Sequence, residues 1–455
     1  MSSKSKYTLL RPVVCATAIL LMGLSGGAKA QAQSLVDLYQ AAKSYDAAYL
    51  AAINQAEAVK YKAAQADSKR WPTVGAKATI DRRHFKSSVD GLSSDSASSY
   101  ATNKTLGLQA RQALFNLANE ADISKGEQAM VAAMADLKIA EDDLIVRLTQ
   151  AYFDVLSAQD VLTTSQTNKK ALSEQLAAAK RNFEVGNATI TDTREAQARF
   201  DLATAQEIAA TNELRVKGLV LDQLVGRSNV KPRPLLTPVT LPELIPSSVD
   251  EWANQTVQSP QVRKAQVGLE VAKLETAKNK SGHMPTLDAV ASIARNDIDS
   301  SNQQAQILGG AGTSSSIGLE LNIPIFAGFA VQNAVKEALV GEEKAQHDLD
   351  NAQRTVTLGT RQAFFGVQSG AAQVKAYEAA EASAKLALEA TQLGYRVGVR
   401  INKDVLDAQN LLANTQKDLY KARYDVLVAS MKLRQASGSL KVEDLQTFNK
   451  LLAPQ

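Results

Sequence analysis

Asp192 and Glu195 lie three positions apart, as do Asp404 and Asp407, and Thr191, Tyr395 and Arg400 stand beside them. Carboxylates at this spacing share one helical face. There they can cap a helix or favour the positive end of its dipole. Crowded against others of their kind, they repel unless protonated or neutralised by cations. The plain expectation is that Asp404 caps a helix and Asp407 occupies its first turn, with Asp192 and Glu195 placed alike. No Ser/His/Asp grouping and no acid–base carboxylate pair suited to hydrolysis accompanies them. His84, His283 and His347 fall in unlike elements, without the ligand spacing of a metal centre. Gly309-Gly310-Ala311-Gly312 lacks the Gly-Lys-Ser/Thr that completes a phosphate loop. The residues therefore point away from an enzyme, a cofactor or a bound metal.

What positions these groups is a bend made twice. Phe183–Asp192 and Tyr395–Asp404 each place an aromatic nine positions before an aspartate, with Val-Gly just after the aromatic, between long Ala/Gln/Leu-rich runs without proline. A glycine turn followed by an acidic residue, with helical pattern on both sides, reads as the turn of a helical hairpin. The repetition extends further. Thr149–Phe153 matches Arg361–Phe365 and Glu195–Gln197 matches Asp407–Gln409, both at a spacing of 212, and Trp71-Pro72-Thr73 recurs as Met284-Pro285-Thr286 at 213. An internal duplication is the economical reading.

The first repeat spans 31–229. A helix from Ser34 to Lys69 ends at Trp71-Pro72, and strands at 73–85 and 105–115 flank a Ser/Asp/Gly-rich tract, 86–104, that reads as loop. A helix over 116–183 follows, then the bend, then a return helix over 192–224. Leu144, Leu148, Ala151, Val155, Ala158 and Leu162 form one seam at alternating steps of four and three, the coiled-coil pattern. Five prolines mark 230–248 as a linker between repeats. The second repeat, 249–438, has a helix near 249–280, strands at 285–296 and 315–326, a long helix at 327–393 and a return helix at 404–437. In the last of these Leu412, Leu419, Val426 and Leu433 stand at heptad spacing. A short helix and tail occupy 439–455.

Residues 1–30 read as a secretory signal: Lys4, Lys6 and Arg11 precede an apolar run from Val13 to Met22, and Ala28-Lys29-Ala30 offers a cleavage site. Removing them leaves 47 basic residues against 47 acidic ones and no cysteine, since Cys15 lies in the signal. Disulfide chemistry and a basic nucleic-acid footprint are both excluded on that reading. Four strands with one apolar and one polar face match membrane-spanning strands, but four cannot close and an open edge is not tolerated in lipid. Several copies must pool them, so that a β-barrel joins a tube of helices end to end.

The runs Phe183–Asp192, Tyr395–Gln409, Gln150–Gln159, Gly282–Asp288 and Gly318–Phe329 together resemble the TolC family of outer-membrane export ducts, over about 34–452. The resemblance implies an α+β membrane protein. It would be a homotrimer with a twelve-stranded barrel in the outer membrane, four strands per chain, continued by a long α-helical barrel in the periplasm. An equatorial belt would lie near the linker and the C-terminus. The implied function is the exit duct of a tripartite exporter that docks a periplasmic adaptor and an inner-membrane ABC or proton-driven transporter, for type I secretion of proteins or efflux of small molecules. It implies that Asp404 and Asp407 line a narrow periplasmic mouth as two rings of carboxylates, where cations would plug the pore. Tyr395 would bond Asp192, and Arg400 would reach the Thr191–Asp192 region of a neighbouring helix, holding the mouth shut. The tips Val185-Gly186-Asn187 and Val397-Gly398-Val399 would meet the adaptor, although Asn187 and Val399 depart from the Leu and Thr that the best-known member of the family has there. The competing expectation is a structural coiled-coil or adhesin-like surface protein, which would need no membrane strands.

Overall fold

A computed structural model describes residues 33–87, 97–236, 238–239, 241–300 and 310–453. The expected signal at 1–30 and the centres of both strand loops lie outside these residues. The elements are α1 (Leu35–Tyr45), α2 (Ala47–Asp67), β1 (Thr73–Ser87), β2 (Ala97–Phe115), α3 (Leu117–Glu184) and α4 (Ile190–Val225). They continue as α5 (Val249–Gln255), α6 (Pro260–Lys280), β3 (Thr286–Ser300), β4 (Ala311–Asn322), α7 (Ala330–Arg396), α8 (Asn402–Ser437) and α9 (Val442–Asn449).

The strands form one antiparallel sheet in the order β1-β2-β3-β4, so that β1 and β4 are its edges. Its register joins the two halves of the chain, with Leu106 opposite Ala78 on one side and Arg295 on the other. Side chains alternate between faces. One face carries Val74, Ile80, Leu106, Leu108, Ile293, Ile317 and Leu319, all exposed in the single chain, Ile317 at 90%. The other carries Arg111, which holds Asp288 at 2.8 Å and Glu320 at 3.5 Å, and the paired hydroxyls of Ser292 and Ser316 at 2.9 Å. All four strands run further at their far ends than alternation alone indicates, β1 by Lys86 and Ser87. The polar stretches Ala97–Lys104, Asp297–Ser300 and Ala311–Ser314 belong to strands rather than loops, because the backbone ladder continues past the apolar positions. β4 also stops at Asn322 rather than at 326, since Pro324 has no N–H to continue the ladder.

At 68 and 67 residues, α3 and α7 are each roughly 100 Å long at 1.5 Å per residue. Each packs along a 36-residue return helix, α3 with α4 and α7 with α8. Leu419, Val426 and Leu433 of α8 bury against Phe364, Val367 and Val374 of α7. The approach is closest at Gly370, where an added Cβ would lie 2.7 Å from Val426 Cγ2.

The largest core lies midway along the helices. Leu35, Leu38 and Tyr39 of α1, Leu144, Leu148 and Phe153 of α3, Leu427 and Met431 of α8, and Leu445 and Phe448 of α9 meet there. The proline-rich segment is docked on this core rather than acting as a spacer. Leu236 N–H donates to the Leu451 carbonyl, Ala453 N–H donates to that of Pro234, both at 2.9 Å, and Tyr152 Oη accepts from Arg233 N–H at 2.8 Å. The helix expected as one piece over 34–69 is broken at Asp46, whose carboxylate caps α2 through Tyr49 N–H while Arg147 grips both its oxygens at 3.0 and 3.1 Å. The helix near 249–280 likewise divides, at Ser259-Pro260, where the Ser259 hydroxyl caps α6.

Candidate functional site

The two bends have nearly the same backbone. Gly186 and Gly398 take φ of 80° and 81°, the left-handed region that glycine enters without steric cost. Their flanking amides close matching turns, Asn187 N–H to the Asn182 carbonyl at 2.7 Å and Val399 N–H to that of Gly394 at 2.9 Å. Val185, Val397 and Val399 project into solvent at these tips.

The return helices begin differently. α4 is capped by Thr189 in a reciprocal box: Asp192 N–H donates to the Thr189 hydroxyl at 3.2 Å, and Thr189 N–H and Oγ1 donate to the Asp192 carboxylate at 3.0 and 2.7 Å. α8 has Ile401 at the cap, with no side-chain bond, and Asp404 in the first turn. Asp404 therefore does not cap its helix as expected, and Asp407 stands one turn further along. Asp192 is the reciprocal member of its box, with Thr189 as the cap.

The hairpins touch each other just behind the tips. Leu406 of α8, fully buried, inserts among Leu172, Leu176 and Ala179 of α3 and Ala196 and Ala203 of α4. Asn182 Nδ2 of α3 donates to Tyr395 Oη of α7 at 3.2 Å. Arg199 of α4 donates to Asp407 of α8 at 2.7 Å, and Lys403 pairs with the other oxygen of the same carboxylate. That bond raises the Lys403 pKa. Arg400, in the bend just before α8, lies 3.5 Å from Asp404 in the first turn of that helix. The expected Tyr395–Asp192 bond is therefore replaced within the chain by Asn182–Tyr395, because the Asp192 carboxylate is taken up by Thr189. Around the second bend Tyr395 pairs with Asn182, Arg400 with Asp404, and Asp407 with Arg199 and Lys403, while Thr191 and Asp192 lie at the start of α4 beside the first bend.

Three of the residues in these contacts, Lys403, Arg199 and Asn182, are not evident from the bend motifs. Lys403 stands four residues before Asp407 and is readable as a helical pair. Arg199 and Asn182 act across hairpins, which only the packing reveals. Asn402, the first residue of α8, is 4% exposed, and neither its amide nitrogen nor its oxygen has a partner.

A sheet with one outward apolar face, carried on paired helices about 100 Å long whose tips bear charged side chains, defines an outer-membrane export channel with a periplasmic extension. The family model described as outer membrane efflux protein matches residues 38–227 and 254–439, and the chain belongs to that family. It is 29% identical over 446 residues to outer membrane protein TolC of Escherichia coli K12, covering 95% of this chain and 88% of that protein. It is also 29% identical to the proteases secretion protein PrtF of Dickeya chrysanthemi, over 94% of this chain and 92% of that one. The solved structure of the outer membrane protein VceC from Vibrio cholerae superposes with a TM-score of 0.74 at 17% identity, covering 89% of this chain and 96% of that one.

Proposed function

We propose that three copies of this chain close a twelve-stranded barrel in the outer membrane, and that their hairpins form a periplasmic tube whose tips make a gated mouth. The observation that carries this reading is the sheet: four strands with open edges and an apolar face exposed to the extent of Ile317 at 90% and Leu319 at 69%. An open edge in lipid leaves backbone groups unpaired at several kcal/mol each, so closure with other copies is the stable outcome.

In this reading the duct completes a tripartite machine. Its tips at Val185-Gly186-Asn187 and Val397-Gly398-Val399 receive a periplasmic adaptor, which links it to an inner-membrane transporter. Cargo is a secreted protein, as the name of the PrtF relative supports, or a small molecule, as the family description supports. Asp404 and Asp407 line the mouth. Tyr395 with Asn182 and Asp407 with Arg199 hold the hairpins of each subunit together, Lys403 on the same helix as Asp407 screens that carboxylate, and Arg400 faces the Thr191–Asp192 region of the adjacent copy. Threefold repetition turns each carboxylate into a ring, and the intrachain cations already balance much of its charge.

Chemical crosslinking of the purified protein, followed by single-channel recording in planar bilayers, tests the reading. A trimer with discrete ion conductance is expected. A monomer that stays in solution without detergent and conducts no current would overturn it.

A further inference from the structure

The apolar face of the sheet ends in charge. Moving away from the helices on that face, β1 runs Val74, Ala76, Ala78, Ile80 and then Arg82; β2 runs Leu108, Leu106 and then Lys104; β3 runs Ala291, Ile293 and then Arg295. The register fixes how the three cations lie. Arg295 is opposite Leu106, two residues from Lys104, and Lys104 is opposite Ile80, two residues from Arg82. Diagonal neighbours on one sheet face are about 7–8 Å apart, so Arg295, Lys104 and Arg82 form a continuous row across three strands at the outer border of the apolar band. All three are exposed; across the ladder Arg82 faces Thr102 and Arg295 faces Leu106 and Thr313, while Lys104 has Asp297 of β3 directly opposite it.

The ring next to this row adds to it. The Arg82 guanidinium lies 4.8 Å from the centroid of Tyr100, and His84 stacks on the same ring at 4.7 Å. Stacking uses the flat face of a guanidinium and leaves its N–H edge free for the bidentate geometry that suits phosphate. A tyrosine beside the apolar band is also where membrane interfaces place aromatic rings. Asp297 and Asp299 share this face on β3, while the described positions of β1 and β2 on it carry no acid. Asp297 offsets part of the charge of Lys104, so the row is most cationic at Arg82 on β1.

Membrane-spanning strands need about 9–11 residues, and β1, β2 and β3 have 15, 19 and 15. Their outer ends thus stand at headgroup level or above. We propose that Arg82, Lys104 and Arg295, with Tyr100 as a platform, form a binding site on the lipid-facing wall of the barrel for a phosphorylated glycolipid of the outer leaflet. Acyl chains of that lipid lie along Ile80, Leu106 and Ile293, and its phosphates take the cations. The site rests on the strands facing lipid as the preceding section reads them.

The test uses the full-length protein purified in detergent and native mass spectrometry after incubation with lipid A or with lipid A stripped of its phosphates. Wild type should retain the phosphorylated form preferentially. Arg82→Gln, Lys104→Gln and Arg295→Gln together should weaken retention, by roughly fivefold per cation removed. Lys77→Gln with Arg83→Gln removes charge from the opposite face of the sheet and should leave retention unchanged. Equal retention of both lipid forms, equal loss in the two sets of variants, or displacement of the lipid by millimolar inorganic phosphate would each overturn the site. Wild-type conductance of the triple variant in planar bilayers shows that the barrel still forms; loss of retention with loss of conductance in wild type itself would indict the barrel reading instead.

Discussion

Arg199 on the return helix of the first hairpin holds Asp407 on the return helix of the second at 2.7 Å, and Lys403 takes the remaining oxygen of that carboxylate. One charged group therefore both ties the two hairpins together and loses its availability to mobile ions. Arg199→Gln should have two effects at once. Freed of a charge-assisted bond, generally about 1.5–3 kcal/mol, of which the partial exposure of both groups leaves the lower part, the mouth should open more often and pass more current. The less compensated carboxylate should also bind polyvalent cations better. Single-channel recording with a trivalent cation on the periplasmic side would show block at a concentration roughly tenfold below that for wild type, which corresponds to about 1.4 kcal/mol. Unchanged block and unchanged current would remove Arg199 from the mouth.

Tyr395 and Arg400 act in different directions from the same bend. The tyrosine hydroxyl accepts from Asn182 within the chain at 3.2 Å, whereas Arg400 leans on Asp404 at a looser 3.5 Å and is 61% exposed. A neutral bond of the first kind contributes about 0.5–1.5 kcal/mol, so Tyr395→Phe alone should raise conductance only slightly. Adding Arg400→Glu places like charge beside Asp404 and should open the mouth further. If the double variant conducts as wild type does in planar bilayers, these residues do not latch it.

Asn402 is buried at the start of α8 with both polar atoms unpaired. A group left in that condition costs about 1–3 kcal/mol, which biases the resting tip toward any arrangement that rehydrates it or gives it a partner. Asn402→Leu should remove the bias. Amide hydrogen exchange around 398–406 should slow about fivefold or more, matching about 1 kcal/mol, and the open probability in bilayers should fall. Faster exchange in the variant would show that the amide is satisfied in the assembled protein.

Gly370 sets how closely α7 and α8 approach. Alanine there would bring its Cβ to 2.7 Å from Val426 Cγ2 unless one helix moves. Overpacking of this kind costs about 1–3 kcal/mol, against a helix-propensity gain of up to about 1 kcal/mol. Gly370→Ala should therefore lower the temperature at which the assembly dissociates, and combining it with Val426→Ala should restore part of the loss. A variant as stable as wild type would mean the side chain turns aside freely.

What the amino-acid sequence discloses follows how local each signal is. The bends are plain because a left-handed glycine and a nearby hydroxyl or carboxylate suffice to make them. The near halves of the strands are plain because Ile317, Leu319 and Leu321 alternate with Gly318 and Glu320. Their far halves, such as Ala97–Lys104, carry Ser, Asn and Thr that favour turns in isolation, and only the partner strand holds them extended. The break at Asp46 has no proline or glycine to announce it and depends on Arg147, some 100 residues away. The docking of 230–248 depends on the chain's last residues in the same manner. In the site, Asp404 and Asp407 stand out by repetition, but Arg199 and Asn182 matter through contacts between hairpins that no local spacing encodes.

The carboxylates of the helical region divide into two groups with opposite responses to acid. Burial pushes Asp122 up, but Lys69, Lys278 and Lys125 bond it and outweigh burial, holding it well below the usual carboxylate range. Arg147 lowers Asp46 in the same sense. Such groups bind protons less readily in the folded state, so their contribution is present above the unfolded value near 4 and is lost as pH falls below it. Asp160, which accepts from Tyr424 Oη at 2.6 Å, is instead raised by burial, as are Asp142 and Asp425. These bind protons more readily when folded, so stability grows as pH falls through their raised values toward the unfolded one. The dissociation temperature of the assembly should accordingly rise modestly on mild acidification and drop steeply below about pH 4. Asp160→Asn should flatten the rise, and Asp122→Asn should shrink the drop while lowering stability at pH 7 by about 1–3 kcal/mol, because three lysines from α3 and from the segments bordering β1 and β3 then crowd together without their anion. A wild-type profile that falls steadily from pH 7 downward would contradict this division.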